Sequence, residues 1–193
     1  MKVKKLSGKV QDAQQIPTLF DHENIMYYPI NIVNWKEYPY QPQVSFRIAY
    51  TNDAILVHYK VVEDSVRAKY GEDNGSVWTD SCVEFFSIPA RDGVYYNLEC
   101  NCIATILLAA GSERSNREMA PLEITDQVKR WASLGRETFE EKIGECTWEV
   151  ALQIPYKVFL SIPLPSWMEW LYELIFINVE MNCKSLISYH GVL

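Results

Sequence analysis

The chain lacks the marks of several functional classes. Its five cysteines, Cys82, Cys100, Cys102, Cys146 and Cys183, are odd in number and scattered, which does not make a disulfide framework. Its three histidines, His22, His58 and His190, form no metal-binding pattern, and Cys100-x-Cys102 has no further ligands at the spacing zinc requires. No stretch of about 18 uninterrupted apolar residues occurs, so no membrane span is expected. No apolar run follows Met1, so no export signal is visible. The chain as written is expected in the cytoplasm, or in the periplasm or outside the cell if a signal was removed and replaced by a start Met. Basic residues are outnumbered, 18 against 25, for a net charge of −7. The only basic cluster, Lys2, Lys4, Lys5 and Lys9, reads as a solvated end, so nucleic acid is not expected as a partner. Phosphate-cradling loops of the GxxxxGK[ST] and GxGxxG types are absent, and so is a GxSxG nucleophile elbow.

What is present is aromatic and strand-like. The 193 residues include twelve Tyr, seven Phe and six Trp, and the length fits a single domain spanning 1–193 with a substantial core. Val44, Phe46, Ile48 and Tyr50 alternate with Ser45, Arg47 and Ala49, which predicts a half-buried strand. Thr51-Asn52-Asp53 supplies a turn, and Ala54 to Glu63 a second strand. The polar run from Glu63 to Gly75 predicts a loop. Ser81 to Ile88 and Val94 to Cys102 predict two more strands around an Arg91-Asp92-Gly93 turn. Ile103 to Ala109 continues the latter or forms the next strand, and Ser112 to Met119 predicts a long loop. Ile124 to Leu134 suits a strand or a short helix, and Thr138 to Ile143 is weakly strand-like. Trp148, Val150, Leu152 and Ile154 share one face of a final strand, followed by a helical turn at Tyr156 to Phe159. Many short strands separated by turns predict an all-β, antiparallel β-sandwich.

The richest stretch runs from Val77 to Thr105. Asn97, Glu99 and Asn101 fall on one strand face, and Tyr96, Leu98, Cys100 and Cys102 on the other. Cys100 and Cys102 are therefore expected as core thiols. Trp78, Asp80 and Glu84 head the neighbouring strand. An aromatic platform beside carboxylates and amides suits a sugar, whose C–H face stacks on indole and whose hydroxyls seek polar partners. Each residue has a plainer alternative: a core-edge Trp78, a Glu84 ion pair with Arg47 or Arg91, and amides that tie down a loop. Glu84 and Glu99 also suit the paired acids of a glycoside hydrolase.

At these residues the chain resembles the family 9 carbohydrate-binding modules, in particular the stand-alone, Bacteroides-type members. The matching segments are FRIAYTNDAILVHYKVVED, VWTDSCVEFF, YYNLECNCIAT and TWEVALQIP, spanning about 35–155. The resemblance implies a jelly-roll-like sandwich related to the DOMON group. It implies non-catalytic binding of a mono- or oligosaccharide in the breakdown of polysaccharides such as xylan. Family members clamp the sugar between two tryptophans; Trp78 matches the first, and Glu84 the glutamate six residues on. The expected ligand-binding set is Trp78, Asp80, Glu84, Asn97, Glu99 and Asn101. The resemblance also makes calcium a candidate cofactor, although no dense calcium loop is visible. The alternatives are a Glu84/Glu99 glycoside-processing enzyme and a structural module that has lost its ligand.

From about Val158 the chain departs from the family. The family tail would resemble RANFYKCGD followed by KPHFLSW, whereas this chain reads YELIFINVEMNCKSLISYHGVL from Tyr172. Synonymous codons for that stretch, read two bases out of register, spell RANFYKCGDELQKPHFLSWSP. The expectation is a frameshift between about Val158 and Ser166. It would remove the second aromatic wall of the sugar site, weaken or abolish sugar binding, and favour self-association through an unpaired sheet edge.

Overall fold

The computed structural model describes residues 2–33, 39–89 and 93–159. Two antiparallel sheets face each other. Six strands form the first: β1 (Lys4–Lys5), β2 (Tyr28–Ile30), β3 (Gln43–Tyr50), β4 (Ala54–Ala68), β9 (Lys129–Ala132) and β10 (Phe139–Pro155). Their order is β1-β3-β4-β10-β9, with β2 also pairing β3, and only the β1–β3 pairing is parallel. Four form the second, in the order β5 (Cys82–Ser87), β6 (Tyr95–Asn101), β7 (Ile106–Gly111) and β8 (Glu118–Met119). The expected all-β sandwich is the observed fold. The atypical tail, apart from Val158 and Phe159, lies outside the described residues.

Alternation explains which faces meet. Phe46, Ile48, Val57, Tyr59, Trp148, Val150 and Leu152 from the six-stranded sheet pack against Val83, Phe85, Tyr96, Leu98 and Cys100 from the other. Cys100 and Cys102 lie on the core side as expected. Burial pushes the Cys100 thiol up to about 12, so it stays protonated and unreactive.

The opposite face of the six-stranded sheet is not solvated. A short helix, α1 (Ile16–His22), covers it and was not anticipated. Ile16 and Phe20 join Leu6, Val10, Ala13, Ala49, Leu56 and Ala151 in a second apolar cluster. Asp12 caps the 3-10 turn leading into α1 by accepting from the Gln14 N–H at 2.9 Å, and Pro17 sits in the first turn of the helix.

Four local expectations change. The segment 63–68 is not a loop, because β4 runs on to Ala68. Its polar side chains find distant partners: Glu63 accepts from Trp148 Nε1 at 2.6 Å, and Arg67 donates to the Thr79 carbonyl. Ile103 to Ala109 does not continue the preceding strand. A tight turn, with Ala104 at φ +58°, starts β7 at Ile106. The two strands expected near 138–143 and 148–154 are one strand, β10, whose register slips between Phe139 and Lys142 and between Ile143 and Cys146. The stretch expected as a long loop, Ser112 to Met119, holds a 3-10 turn at Arg114–Asn116 and ends in β8, which pairs with β7, and Leu122–Thr125 forms a short helix, α2, ahead of β9.

Candidate functional site

The register places the predicted strand residues along the first two strands of the four-stranded sheet. Cys82 pairs with Asn101, Glu84 with Glu99, and Phe86 with Asn97. Directly opposed residues share a face, so Glu84, Glu99, Asn97 and Asn101 all lie on the side away from the sandwich core. Phe86 and Tyr95 continue that face as a tilted aromatic pair with ring centroids 6.1 Å apart. Trp78 belongs to a 3-10 turn, Val77–Thr79, that leads into β5 and packs on β5 and β6.

Exposure separates the six residues sharply. Trp78 is 40% exposed, whereas Glu84 and Glu99 are only 6% and 5% exposed and Asn97 is also buried. Asp80 and Asn101 have no exposed surface. The expected polar face is therefore much less open than the alternation suggests, and Trp78 is the member of the set that presents a surface.

Asp80 and Asn101 are engaged in holding the loop. One Asp80 carboxylate oxygen accepts from the Lys69 N–H and the other from the Tyr70 N–H, each at 3.0 Å. Asn101 Nδ2 donates to that second oxygen at 3.0 Å and to the Tyr70 carbonyl at 2.8 Å. Asn101 Oδ1 accepts from the N–H groups of Thr105 and Ile103, which closes the β6–β7 turn. Arg67 Nε lies 3.5 Å from Asp80 Oδ1 and supplies the countercharge. Backbone and carboxylate together fix both ends of the 69–80 segment, so the indole stands on a rigid support without being part of the core. Tyr70, which the sequence did not single out, is 38% exposed on the same segment.

Asn97 and Glu99 form a different group. Asn97 Nδ2 donates to Glu99 Oε1 at 2.9 Å, while Asn97 Oδ1 is buried without a donor. A buried acceptor beside two facing carboxylates is a place for hydroxyl donors. Arg47, one of the partners considered for Glu84, is engaged elsewhere. It lies on β3 and bonds Asp21 and His58.

Calcium does not fit Asp80 or Asp73, the two aspartates on the segment that bears Trp78. Asp80 is occupied by backbone N–H groups and Arg67, and Asp73 Oδ1 accepts from the Ile106 N–H and from Arg130. Among the described residues no cluster of three or more His, Cys, Asp or Glu side chains is placed to hold a metal ion. No helix among them is long and apolar enough to cross a membrane.

Comparison with known proteins places this geometry in a context. The model of carbohydrate-binding family 9 matches residues 14–168, reaching past the 35–155 segment on both sides. A candidate carbohydrate-binding protein from Bacteroides uniformis is 46% identical, with a TM-score of 0.82 over 86% of this chain and 76% of that one. A family 9 carbohydrate-binding module from Caldicellulosiruptor kristjanssonii in complex with cellotriose is 11% identical, with a TM-score of 0.52 over 80% of this chain and 66% of that one. A structure from the same organism in complex with glucose is 14% identical, with a TM-score of 0.50 over 85% and 71%. At such identities the last two speak for the fold alone. No curated protein matches the chain.

Proposed function

The chain belongs to carbohydrate-binding family 9, and from that premise we propose that it binds a mono- or oligosaccharide without transforming it, with the sugar ring stacked on Trp78. The observation that carries this reading is a half-exposed indole on a segment whose support, Asp80 and Asn101, is wholly buried. Tryptophans are highly buried on average, and Trp78, at 40% exposed, is not. Glu84, Glu99 and Asn97 are the acceptors for sugar hydroxyls, with Asn97 Oδ1 the one that most needs a donor. Asp80 and Asn101 act as positioning residues beneath the platform. Solved structures of the family hold cellotriose and glucose, which supports a ligand drawn from glucose-based chains; xylan fragments, and a place in polysaccharide catabolism, are the extension of that reading.

The chain as written binds weakly in this reading, because the second aromatic wall belongs to the tail that the frameshift replaces. The coding DNA tests that part directly: codons that do not spell the family tail in the other frame would sink it. A chain with the tail restored gains affinity and loses any tendency to self-associate.

Calorimetric titration with cello- and xylo-oligosaccharides tests the binding reading. Saturable heat that disappears in Trp78→Ala, with an unchanged melting temperature, is the expected result. Equal heats for both proteins would overturn it. The Glu84–Glu99 register also keeps an acid pair in view. Turnover of chromogenic glycosides that is lost in Glu84→Gln would favour an enzyme over a binding module.

A further inference from the structure

The segment that bears Trp78 carries a second exposed aromatic side chain, Tyr70. The two residues flank one carboxylate. Asp80 lies two residues after Trp78, and its Oδ2 accepts the Tyr70 N–H at 3.0 Å. The Tyr70 carbonyl in turn accepts from Asn101 Nδ2 at 2.8 Å, and the same nitrogen donates to Asp80. Both backbone polar groups of Tyr70 are thus tied to the wholly buried pair that supports Trp78.

The Tyr70 ring has a built seat. A Cβ on Gly75 would stand 3.2 Å from Tyr70 Cδ1 and 3.0 Å from the Glu72 carbonyl oxygen. Gly75 is not among the glycines with positive φ, so what it provides is room for the ring and the turn. The stretch between is fastened along its length. Gly71 packs against Thr138, whose Cγ2 would lie 2.8 Å from a Cβ at that position. Asp73 Oδ1 accepts from the Ile106 N–H at 3.1 Å and from Arg130 at 2.6 Å. Asn74 Nδ2 donates to the Ala120 carbonyl at 2.8 Å, and Asn74 Oδ1 accepts from the Leu108 N–H at 3.3 Å. Two aromatic side chains therefore stand out from one segment whose backbone is held on every side. Aromatic surfaces that are already in place lose little freedom when a ligand stacks on them.

We propose that Tyr70 is a second stacking surface of the Trp78 site, so that the ligand is an oligosaccharide read over two consecutive rings, one on Trp78 and the next on Tyr70. The proposal rests on the sugar reading of Trp78 and adds to it the size of the ligand. Because Tyr70 belongs to the 69–80 segment, this surface is present in the chain as written, whatever the tail supplies. A single indole takes any sugar ring with an apolar face. A second platform on the same support favours a chain over a monosaccharide, since the second contact is then made within one bound molecule.

NMR titration of the full chain with glucose and with cellotriose tests the proposal. Cellotriose is expected to bind about three- to tenfold tighter than glucose, the worth of one added aromatic contact. Tyr70→Ala should bring that ratio to about one by weakening cellotriose, with an unchanged melting temperature. Tyr70→Phe should keep the ratio, since the ring and not the hydroxyl makes the contact. Gly75→Ala should lower it with the ring still present, by pushing the ring from its seat. A cellotriose preference that persists in Tyr70→Ala overturns the proposal. So does a Tyr70→Ala protein that melts lower and loses glucose as well as cellotriose, which would make the ring part of the fold and not of the site. Glucose binding that depends on Trp78 with no gain from chain length sinks this inference alone. Failure of both sugars to bind sinks the Trp78 reading and this inference with it.

Discussion

Each sheet of the sandwich carries a buried polar cluster, and the two are used differently. On the six-stranded sheet, Arg47 donates to Asp21 at 2.5 Å, to the Pro17 carbonyl at 3.2 Å and to His58 Nδ1 at 3.2 Å. Because that ring nitrogen accepts, the proton is on Nε2, which donates to Glu149 at 2.9 Å. Tyr27 closes the cluster, its ring centroid 4.2 Å from the Arg47 guanidinium carbon. Every strong group faces another, and the product is an anchor for α1 and the chain that follows it. At the end of the four-stranded sheet, Asp80 and Asn101 are equally engaged, with Arg67 Nε 3.5 Å from the Asp80 carboxylate, yet what they anchor is a segment bearing exposed Trp78 and Tyr70. Buried polar networks are costly unless satisfied. One cluster holds aromatic side chains outside the core, as the proposed sugar platform requires, whereas the Arg47 cluster holds a helix onto the sheet.

That contrast breaks first, and most severely, at Asp80. Asp80→Ala would leave the Lys69 and Tyr70 N–H groups without their acceptor and Arg67 without its countercharge, a loss of about 3–5 kcal/mol in urea denaturation, with sugar binding lost alongside. Next is the acid response of the helix anchor. His58 is lowered from 6.5 to about 4 by burial and then by the Arg47 charge. As pH falls the unfolded chain takes up the proton first, so stability present above about 6.5 is lost toward 4, on the order of 2–3 kcal/mol. His58→Gln should flatten that slope in thermal melts recorded across the window. Arg47→Met should cost about 2 kcal/mol and leave sugar binding untouched, and a loss of binding there would merge the two clusters into one functional unit. Trp78→Ala should change stability least, by less than about 1 kcal/mol for a half-exposed side chain, while removing binding. A large stability loss at Trp78 would return it to the core and erase the distinction.

Much of the architecture was legible in the sequence because strand alternation is local. Val44 to Tyr50, Trp148 to Ile154 and Tyr96 to Cys102 each assigned their faces correctly. What escaped depended on partners far away in the chain. Glu63 and Arg67 look like loop residues until Trp148 and Thr79 are brought to them. The helix α1 is only seven residues long and carries Pro17 in its first turn, too short a signal for periodicity to show. At the candidate site, composition singled out the neighbourhood, and the pairing of Glu84 with Glu99 followed from adjacent strands. Composition could not show that Asp80 faces backbone N–H groups, since the same acid two residues from a tryptophan suits a ligand equally well.

One strand belongs to both clusters. β4 carries His58 toward its start and Arg67 near its end, nine residues or about 30 Å apart at strand rise. Separation on that scale makes perturbations additive: a double substitution at Arg47 and Asp80 should cost the sum of its parts. The sheet then behaves as a beam with independent fittings at either end, and the Trp78 end can be re-engineered without disturbing the bolted helix at the other.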